Sequence, residues 1–376
     1  MTVPEKLSPL HQIHVDAGAS FTDFAGWQMP VRYSSELEEH RAVRSKAALF
    51  DLSHMAEITF RGPQAAEALD YALAGKISAI AVGQAKYSLL LTESGGILDD
   101  VIVYRTGDTD YTVVANAGNR YPAAEALISR AAEFDVTVTD ESDDIALVAV
   151  QGPASAEIVA ALPELELVTP LSELAYYRST TGTYRGHDVL VARTGYTGED
   201  GFELYVANEH AAELWNTLMS VGESHGIVPA GLACRDTLRL EAGMPLYGNE
   251  LSTSIFPSQA GLGRVVSLKK DSDFVGRAAI EAGAPADARI LVGLESEGRR
   301  AGRSGYTVHA GAEESDAEIG TISSGALSPT LEHPIAMAYV NAEFTEPGTE
   351  LYIDVRGKRI PATVVTFPFY NRKATA

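Results

Sequence analysis

The pattern of apolar and polar positions predicts strands and helices that occur in clusters. Residues 86–92, 99–107 and 110–116 have the composition of strands and are joined by turns rich in Gly, Asp and Ser. Residues 65–75 and 119–134 have the apolar spacing that is typical of helices. Because these elements do not follow strict β-α-β alternation, we predict an α+β fold and not a doubly wound parallel sheet.

A weak internal repeat relates residues 54–69 to residues 145–159. In each segment a predicted strand is followed by Gly-Pro and then by a predicted helix with Ala and Glu at matching positions. Glycine permits the tight turn, and proline suits the first turn of a helix because its missing N–H costs nothing there. The repeat indicates either a duplicated structural unit or two similar strand-to-helix turns.

The C-terminal part of the chain has a different pattern. Short predicted strands follow one another between turns, and helical patterning is absent. This pattern predicts a small antiparallel β-barrel or sandwich. We therefore expect an α+β body over residues 1–280, a linker over residues 281–288, and an all-β domain over residues 285–372.

Composition and charge limit the possible partners. The chain has 376 residues, a formal net charge of -22 and a single cysteine, Cys234. One cysteine excludes an internal disulfide, and a strongly negative surface repels nucleic acid and anionic membranes, so we expect neither as a partner. No apolar run approaches the roughly 20 residues of a membrane helix, and the N-terminus lacks the layout of a signal peptide. We expect the protein in the cytoplasm.

The common catalytic motifs are absent from the sequence. There is no GxGxxG that opens a helix, no GxxxxGK[ST] and no HExxH. The 9 histidines are scattered without the spacing of metal ligands. The sequence therefore predicts neither a nucleotide cofactor nor a metal.

Two segments place carboxylates beside glycine-rich turns. In GGILDD, at 95–100, one of Asp99 and Asp100 can face inward, because neighbouring strand residues point to opposite faces. In RTGYTGEDGFELYV, at 193–206, an inward Glu203 needs a donor partner, and a 2-aminopyrimidinone ring offers two adjacent N–H donors. The simpler alternatives are a plain hairpin turn in the first segment and an exposed glutamate on an edge strand in the second.

Two further regions are candidates for ligand contact. Residues 230–250 carry Arg235 and Asp236 near the start of a predicted, partly buried helix, where an arginine fork can hold a carboxylate or a carbonyl. The alternative is an internal ion pair that supports the fold. Trp27 and Met55, in FAGWQMPVRY and FDLSHM, suit contact with a flat ring, although core packing is the commoner role of such residues.

Taken in order, these segments resemble one protein family. The chain resembles the aminomethyltransferase, or T-protein, family of the glycine cleavage system over nearly its whole length, residues 7–372. The resemblance rests on the segments FAGWQMPVRY, HRAVRSKAALFDLSHM, GGILDD, VVANAGN, RTGYTGEDGFEL, GLACRDTLRLEAGMPLYGNE, AGLGRVVSLKKDSDFVGR and SSGALSPTLEHPIAMAYV.

The resemblance implies a fold and a reaction. The fold is a folate-binding body of two subdomains that, with a C-terminal β-barrel, surrounds a central channel for tetrahydrofolate. The implied partner is the lipoylated H-protein, which carries an aminomethyl group on a lipoyl sulfur. The methylene passes to tetrahydrofolate, ammonia is released, and 5,10-methylenetetrahydrofolate forms.

The resemblance also implies roles for individual residues. Asp100, the last residue of GGILDD, matches the family's catalytic aspartate, and Glu203 matches its pterin-binding glutamate. The expected folate-contacting residues are Met55, Tyr87, Asn116, Tyr196, Glu203, Arg235 and Arg372.

Two related functions remain open at this point. One is a free-standing, folate-dependent demethylase of the same family. The other is a non-enzymatic, folate-binding factor of iron–sulfur protein assembly, which carries a KGCY-type motif with a functional cysteine. The corresponding stretch in this chain, SQAGLGRVVSLKKDSDFVGR, has no cysteine.

Overall fold

The computed structural model describes residues 5–313 and 315–372. The helices are α1 (His11–Asp16), α2 (Glu36–Ser45), α3 (Ala65–Ala72), α4 (Arg120–Ala131), α5 (Ser155–Ala160), α6 (Asn208–Gly222), α7 (Leu232–Glu241) and α8 (Arg277–Ala282). The strands are β1 (Lys6–Leu7), β2 (Ser20–Phe24), β3 (Trp27–Arg32), β4 (Ala48–Asp51), β5 (Ala56–Arg61), β6 (Ala85–Leu91), β7 (Ile97–Arg105), β8 (Asp110–Ala115), β9 (Thr137–Asp140), β10 (Ile145–Gln151), β11 (Leu165–Leu167), β12 (Ser179–Tyr184), β13 (His187–Ala192), β14 (Gly201–Ala207), β15 (Val228–Pro229), β16 (Ile290–Ser296), β17 (Thr307–His309), β18 (Glu318–Leu327), β19 (Pro334–Val340), β20 (Glu350–Val355) and β21 (Lys358–Val365).

Within the described ranges, the strands form three open sheets and one closed barrel. A small sheet has the order β1-β3-β2, a seven-stranded sheet has the order β11-β12-β13-β14-β10-β4-β15, and a five-stranded sheet has the order β6-β7-β8-β5-β9. The barrel, β16-β19-β18-β17-β20-β21, is antiparallel throughout. The predicted α+β class and the C-terminal antiparallel barrel are confirmed.

Each of the two larger sheets is covered by helices on one face. In the five-stranded sheet, Ile58 of β5 packs in one core with Leu69 of α3 and Leu127 of α4. In the seven-stranded sheet, Val148 of β10 packs in a second core with Trp215 of α6. The alternation of apolar residues along each strand therefore leaves the opposite faces of the two sheets free to meet each other.

The two uncovered faces meet in a third core that includes α7. Phe50 and Tyr205 of the seven-stranded sheet pack here with Tyr104 and Val114 of the five-stranded sheet. The last turn of α7 also belongs to a further core with residues of β19 in the barrel. Helix α7 therefore lies where both sheets and the barrel come together.

The internal repeat corresponds to the same turn in both sheets. Gly62 follows β5 with φ +152°, and Gly152 follows β10 with φ +130°, a region that other residues rarely adopt. A Cβ atom would lie 2.7 Å from a backbone oxygen at Gly62 and 2.6 Å from one at Gly152. The following prolines occupy the turn before the helix and not its first turn, since α3 and α5 begin two residues later.

Three predicted helices are shorter than expected: the helix predicted over 119–134 spans only Arg120–Ala131, and the other two end early for identifiable reasons. The helix predicted over 65–75 ends at Ala72 because the backbone turns to an extended conformation at Leu73, and the ammonium of Lys270 donates to the carbonyl groups of Asp70, Leu73 and Gly75 around this end. These carbonyls have no partner within the helix, so the buried lysine caps its C-terminal end.

The helix predicted within 230–250 is limited to α7. It ends at Glu241 because Gly243 adopts a left-handed conformation with φ +69°. The amide of Met244 then donates to the carbonyl of Arg239, which satisfies one of the last helical acceptors. The chain continues as a loop whose residues reach the candidate active site.

Candidate active site

A cavity of about 600 Å³ lies between the uncovered faces of the two larger sheets, beside α7. This volume is typical of a small-molecule pocket. The structure brings seven of the eight sequence-predicted residues to its wall: Met55, Tyr87, Asp100, Asn116, Tyr196, Glu203 and Arg235. These residues come from loops, from strands and, for Arg235, from helix α7, and they are far apart in the sequence.

The GGILDD turn is built so that Asp100 faces this cavity. Gly95 has φ +87°, and a Cβ atom on Gly96 would lie 1.8 Å from the carbonyl oxygen of Thr253, so the turn fits tightly against the neighbouring loop. The pairing of β6 with β7 shifts register just beyond this turn, at a β-bulge. Bulges bend a strand and redirect its side chains. Asp100 lines the cavity, whereas Asp99 is fully buried.

Asp100 is held by two neutral donors. The Tyr87 hydroxyl donates to Oδ2 at 3.0 Å, and the Asn116 side-chain amide donates to Oδ1 at 2.8 Å. Burial raises the pKa of Asp100 to about 6, despite the hydrogen bonds from Tyr87 and Asn116, which lower it. A carboxyl group with a pKa near 6 can take up and release a proton close to neutral pH.

Glu203 presents a carboxylate to the same cavity. It lies on β14 between β13 and β10 and is 7% exposed, so it is not an exposed residue on an edge strand. Thr194 donates to Oε2 at 2.5 Å and Tyr104 donates to the same atom at 3.2 Å. In the described part of the chain both of these bonds go to Oε2, which leaves Oε1 as an acceptor for a ligand.

Arg235 provides a positive charge on the same wall. It is not part of the internal ion pair considered above, since Asp236 pairs with Arg239 at 2.7 Å. The guanidinium carbon of Arg235 lies 4.9 Å from the centre of the Tyr196 ring, and within the described residues its buried Nη1 has no hydrogen-bond partner. An unsatisfied buried donor is unfavourable, so this nitrogen is suited to an acceptor on a ligand.

The loop between β4 and β5 contributes apolar and aromatic contacts. Met55 and His54 both line the cavity, and His54 is edge-on to Phe24 with 5.2 Å between ring centres. Burial lowers the pKa of His54 to about 4. The imidazole is therefore neutral at physiological pH and adds no positive charge beside Arg235.

The eighth predicted residue, Arg372, is not among the residues that line the cavity. Its Nη1 lies 3.9 Å from Oδ1 of Asp200, a carboxylate that also pairs with Arg193 at 2.6 Å. Burial raises the pKa of Tyr176, and the positive charge of Arg372 opposes this rise. The next residue, Tyr177, lines the cavity.

Several aromatic residues of the cavity were not predicted from the sequence: Tyr104, Tyr177, Tyr205 and Tyr247. Tyr104 could have been predicted from the sequence, because residues two apart on a strand share a face. Asp100, Ile102 and Tyr104 have this spacing on β7. The others come from loops or from a different sheet, where no local pattern relates them to Asp100.

Residues 5–313 and 315–372 contain neither a cluster of metal-ligating side chains nor a helix suited to a membrane. No group of three or more His, Cys, Asp or Glu side chains in these ranges could hold a metal ion. No helix there is both long and apolar enough to cross a membrane.

Comparisons with known proteins show which family the chain resembles. Residues 10–270 match the family described as GCVT N-terminal domain, and residues 289–371 match the family described as glycine cleavage T-protein C-terminal barrel domain. A protein named aminomethyltransferase from Cutibacterium acnes is 58% identical over 97% of this chain and 98% of its own length. Another of that name, from Streptomyces coelicolor, is 56% identical over 97% of both chains.

A solved structure extends the similarity to the whole fold. The crystal structure of glycine cleavage system aminomethyltransferase T from Bartonella henselae has a TM-score of 0.89 and 36% sequence identity, and the match covers 98% of this chain and 99% of that one. Two family matches and full-length similarity in both sequence and structure therefore show that the chain belongs to the glycine cleavage T-protein, or aminomethyltransferase, family.

Proposed function

We propose that this chain transfers the methylene of an aminomethyl group from lipoylated H-protein to tetrahydrofolate and releases ammonia. The observation that carries the proposal is the meeting of Asp100, Glu203 and Arg235 at one cavity. Full-length relatives named aminomethyltransferase support the class of reaction. They favour this function over a folate-dependent demethylase or a non-enzymatic assembly factor.

The wall formed by Glu203 and Arg235 suits the pterin ring of tetrahydrofolate. The ring presents a 2-amino group and an adjacent N–H as donors, and Oε1 of Glu203, which neither Thr194 nor Tyr104 occupies, is available as their acceptor. The same ring carries a 4-oxo acceptor, which would satisfy the unpartnered Nη1 of Arg235. Tyr196, under the guanidinium of Arg235, and Met55 would contact the flat ring.

Asp100 is the residue that we propose for proton transfer and charge stabilisation. In the transfer, the C–S bond to the lipoyl arm and the C–N bond to ammonia break, and two C–N bonds to folate form. Two N–H protons leave the folate nitrogens, and one is gained by ammonia and the other by the lipoyl sulfur. A buried carboxyl with a pKa of about 6 can accept such a proton and can stabilise an iminium-like positive charge.

Three further residues complete the proposed site. Tyr87 and Asn116 would orient Asp100 against the substrate, and Arg372 would interact with the carboxylate end of the folate from outside the cavity wall. No metal or nucleotide takes part, since the reactive carbon belongs to the lipoyl arm and the nucleophile to folate. We propose the cytoplasm as the compartment.

Binding of tetrahydrofolate to the isolated chain tests the folate part of this proposal. Isothermal titration calorimetry should give one site per chain, and an Arg235→Met variant should bind tetrahydrofolate more weakly while it unfolds at the same temperature as the parent. Equal affinity for the two proteins would remove Arg235 from the folate site.

A further inference from the structure

We infer that Asp99, the buried aspartate before Asp100, is a positioning residue that orients the side chain of Asn116 and thereby holds Asp100 in place. The inference deepens the function proposed above and rests on it. It concerns a residue that faces away from the cavity and that the resemblance to the family left without a role.

The carboxylate of Asp99 is surrounded by donors. Asp99 is 0% exposed. The backbone N–H of Asn116 donates to its Oδ2 at 3.1 Å, and the side-chain amides of Asn116 and Asn119 donate to its Oδ1 at 2.8 and 2.9 Å. These contacts attach β7 to the turn that follows β8, where α4 begins.

The amide of Asn116 also binds Asp100. Its Nδ2 lies 2.8 Å from Oδ1 of Asp99 and 2.8 Å from Oδ1 of Asp100. A carboxamide nitrogen carries two hydrogens, so one is available for each carboxylate. The opposite orientation of the amide would place its oxygen against acceptor atoms, so Asp99 fixes the orientation in which Asn116 donates to Asp100.

The β-bulge explains how two adjacent strand residues reach one amide. Neighbouring residues on a regular strand point to opposite faces. The register shift beside Leu90 and Leu91 of β6 lies directly across from the start of β7 and increases the local twist. Asp99 and Asp100 can therefore approach the same nitrogen from two sides.

The two carboxyl groups also influence each other's charge. Burial, and then the neighbouring Asp100, raise the pKa of Asp99, and burial raises that of Asp100. Among the described residues no lysine or arginine forms an ion pair with either carboxylate. The titratable groups whose pKa values these two carboxylates raise are phenols, which are neutral at physiological pH: Tyr87, Tyr177, Tyr196 and Tyr247. The two aspartates should therefore ionise as a coupled pair.

A mutant cycle tests whether Asp99 acts through Asn116. We would measure kcat for aminomethyl transfer, with calorimetric Kd for tetrahydrofolate, in the parent, Asp99→Ala, Asn116→Ala and the double variant. We expect kcat to fall roughly tenfold or more in Asp99→Ala with little change in Kd. The loss in the double variant should equal that of Asn116→Ala alone, because both substitutions release the same contact. Losses in kcat that multiply in the double variant would overturn the inference.

A second measurement is independent of both activity and the alanine variants. Carbon-13 NMR of labelled aspartate carboxyls, assigned with Asp100→Asn, would follow the titration of Asp100 in the parent and in Asp99→Asn. We expect two coupled steps in the parent and one step in the variant. An identical single step in both proteins would overturn the inference. If the proposed transferase function failed, every variant would lack activity, whereas this titration would still report the contact between Asp99 and Asp100.

Discussion

The hydroxyl of Tyr87 donates a hydrogen bond to Oδ2 of Asp100, with 3.0 Å between the two oxygen atoms. The bond joins neighbouring strands β6 and β7 at the cavity wall, and its direction is fixed because burial keeps the phenol protonated by raising its pKa. Oδ1 of Asp100 is bound in turn by Asn116. Asp100 is therefore held at both oxygens by groups that carry no charge, which leaves its own proton affinity high.

The raised pKa of Asp100 predicts the acid side of the pH–rate profile. Only the ionised carboxylate can accept a proton, and the pKa of the group is about 6 because the site is buried. We expect kcat to be highest above this value and to fall about tenfold per pH unit below it. The measurement is kcat from pH 5 to pH 9 at saturating tetrahydrofolate. A flat profile down to pH 5 would contradict the assignment of Asp100 as the proton acceptor.

Glu203→Gln should weaken the binding of tetrahydrofolate. The substitution removes the charge that strengthens the bonds from the pterin donors and replaces one acceptor oxygen with a donor, a loss of about 2 kcal/mol, or roughly 30-fold in Kd. Calorimetry measures the change directly. The matched control is Glu209→Gln on α6, whose side chain is 80% exposed, and its affinity should equal that of the parent. Equal affinities for all three proteins would exclude Glu203 from the pterin site.

The variant Arg372→Ala should bind tetrahydrofolate and tetrahydropterin differently. If Arg372 interacts with the carboxylate end of the folate, its removal should weaken binding of tetrahydrofolate several-fold and leave binding of tetrahydropterin, which lacks that end, unchanged. Arg61→Ala, which removes an exposed arginine paired with Glu141, is the control. A parallel loss for both ligands would show that Arg372 acts through the fold, and no loss for either would remove it from the folate site.

The positions of these residues could be predicted from the sequence to different degrees. The glycine-rich turns indicated Glu203 and one of Asp99 and Asp100, and the resemblance to the family selected Asp100. The face that each presents depends on the bulge before Asp99 and on the place of β14 inside its sheet, and neither is visible in a local pattern. The position of Arg372 depends on a contact with Asp200, 172 residues earlier in the chain, for which the sequence holds no signal.

Glu241→Gln should destabilise the fold more than it affects the cavity. This fully buried carboxylate accepts from His40 at 3.1 Å, from Arg44 at 2.7 Å and from the Thr330 amide at 3.0 Å, so it joins α2 and α7 to the barrel. Loss of its charge leaves a buried arginine with a weaker partner, at a cost of about 3 kcal/mol in the free energy of unfolding. Chemical denaturation would measure this loss. Glu281→Gln, in the exposed pair with Arg277, should cost under about 0.5 kcal/mol.

The effect of Glu241→Gln should also depend on pH in a defined direction. Burial alone would raise the pKa of Glu241, but His40, Arg44 and Ser328 together lower it from 4.5 to about 2. A lowered pKa in the folded state stabilises the protein above pH 4.5, and this contribution disappears as the pH falls toward 2. The difference in stability between parent and variant should shrink over that interval, and a constant difference would contradict the assignment.

A coupled transfer assay with the intact chain tests whether Asp100 catalyses folate-dependent transfer of the methylene. Aminomethyl-loaded, lipoylated H-protein and tetrahydrofolate would be mixed with the parent or with Asp100→Asn, and both ammonia and 5,10-methylenetetrahydrofolate would be followed. We predict equal amounts of the two products with the parent, no ammonia above background without tetrahydrofolate, and at least about a 100-fold lower rate with Asp100→Asn at unchanged folate affinity. Ammonia release that does not require tetrahydrofolate, or a normal rate with Asp100→Asn, would contradict the account.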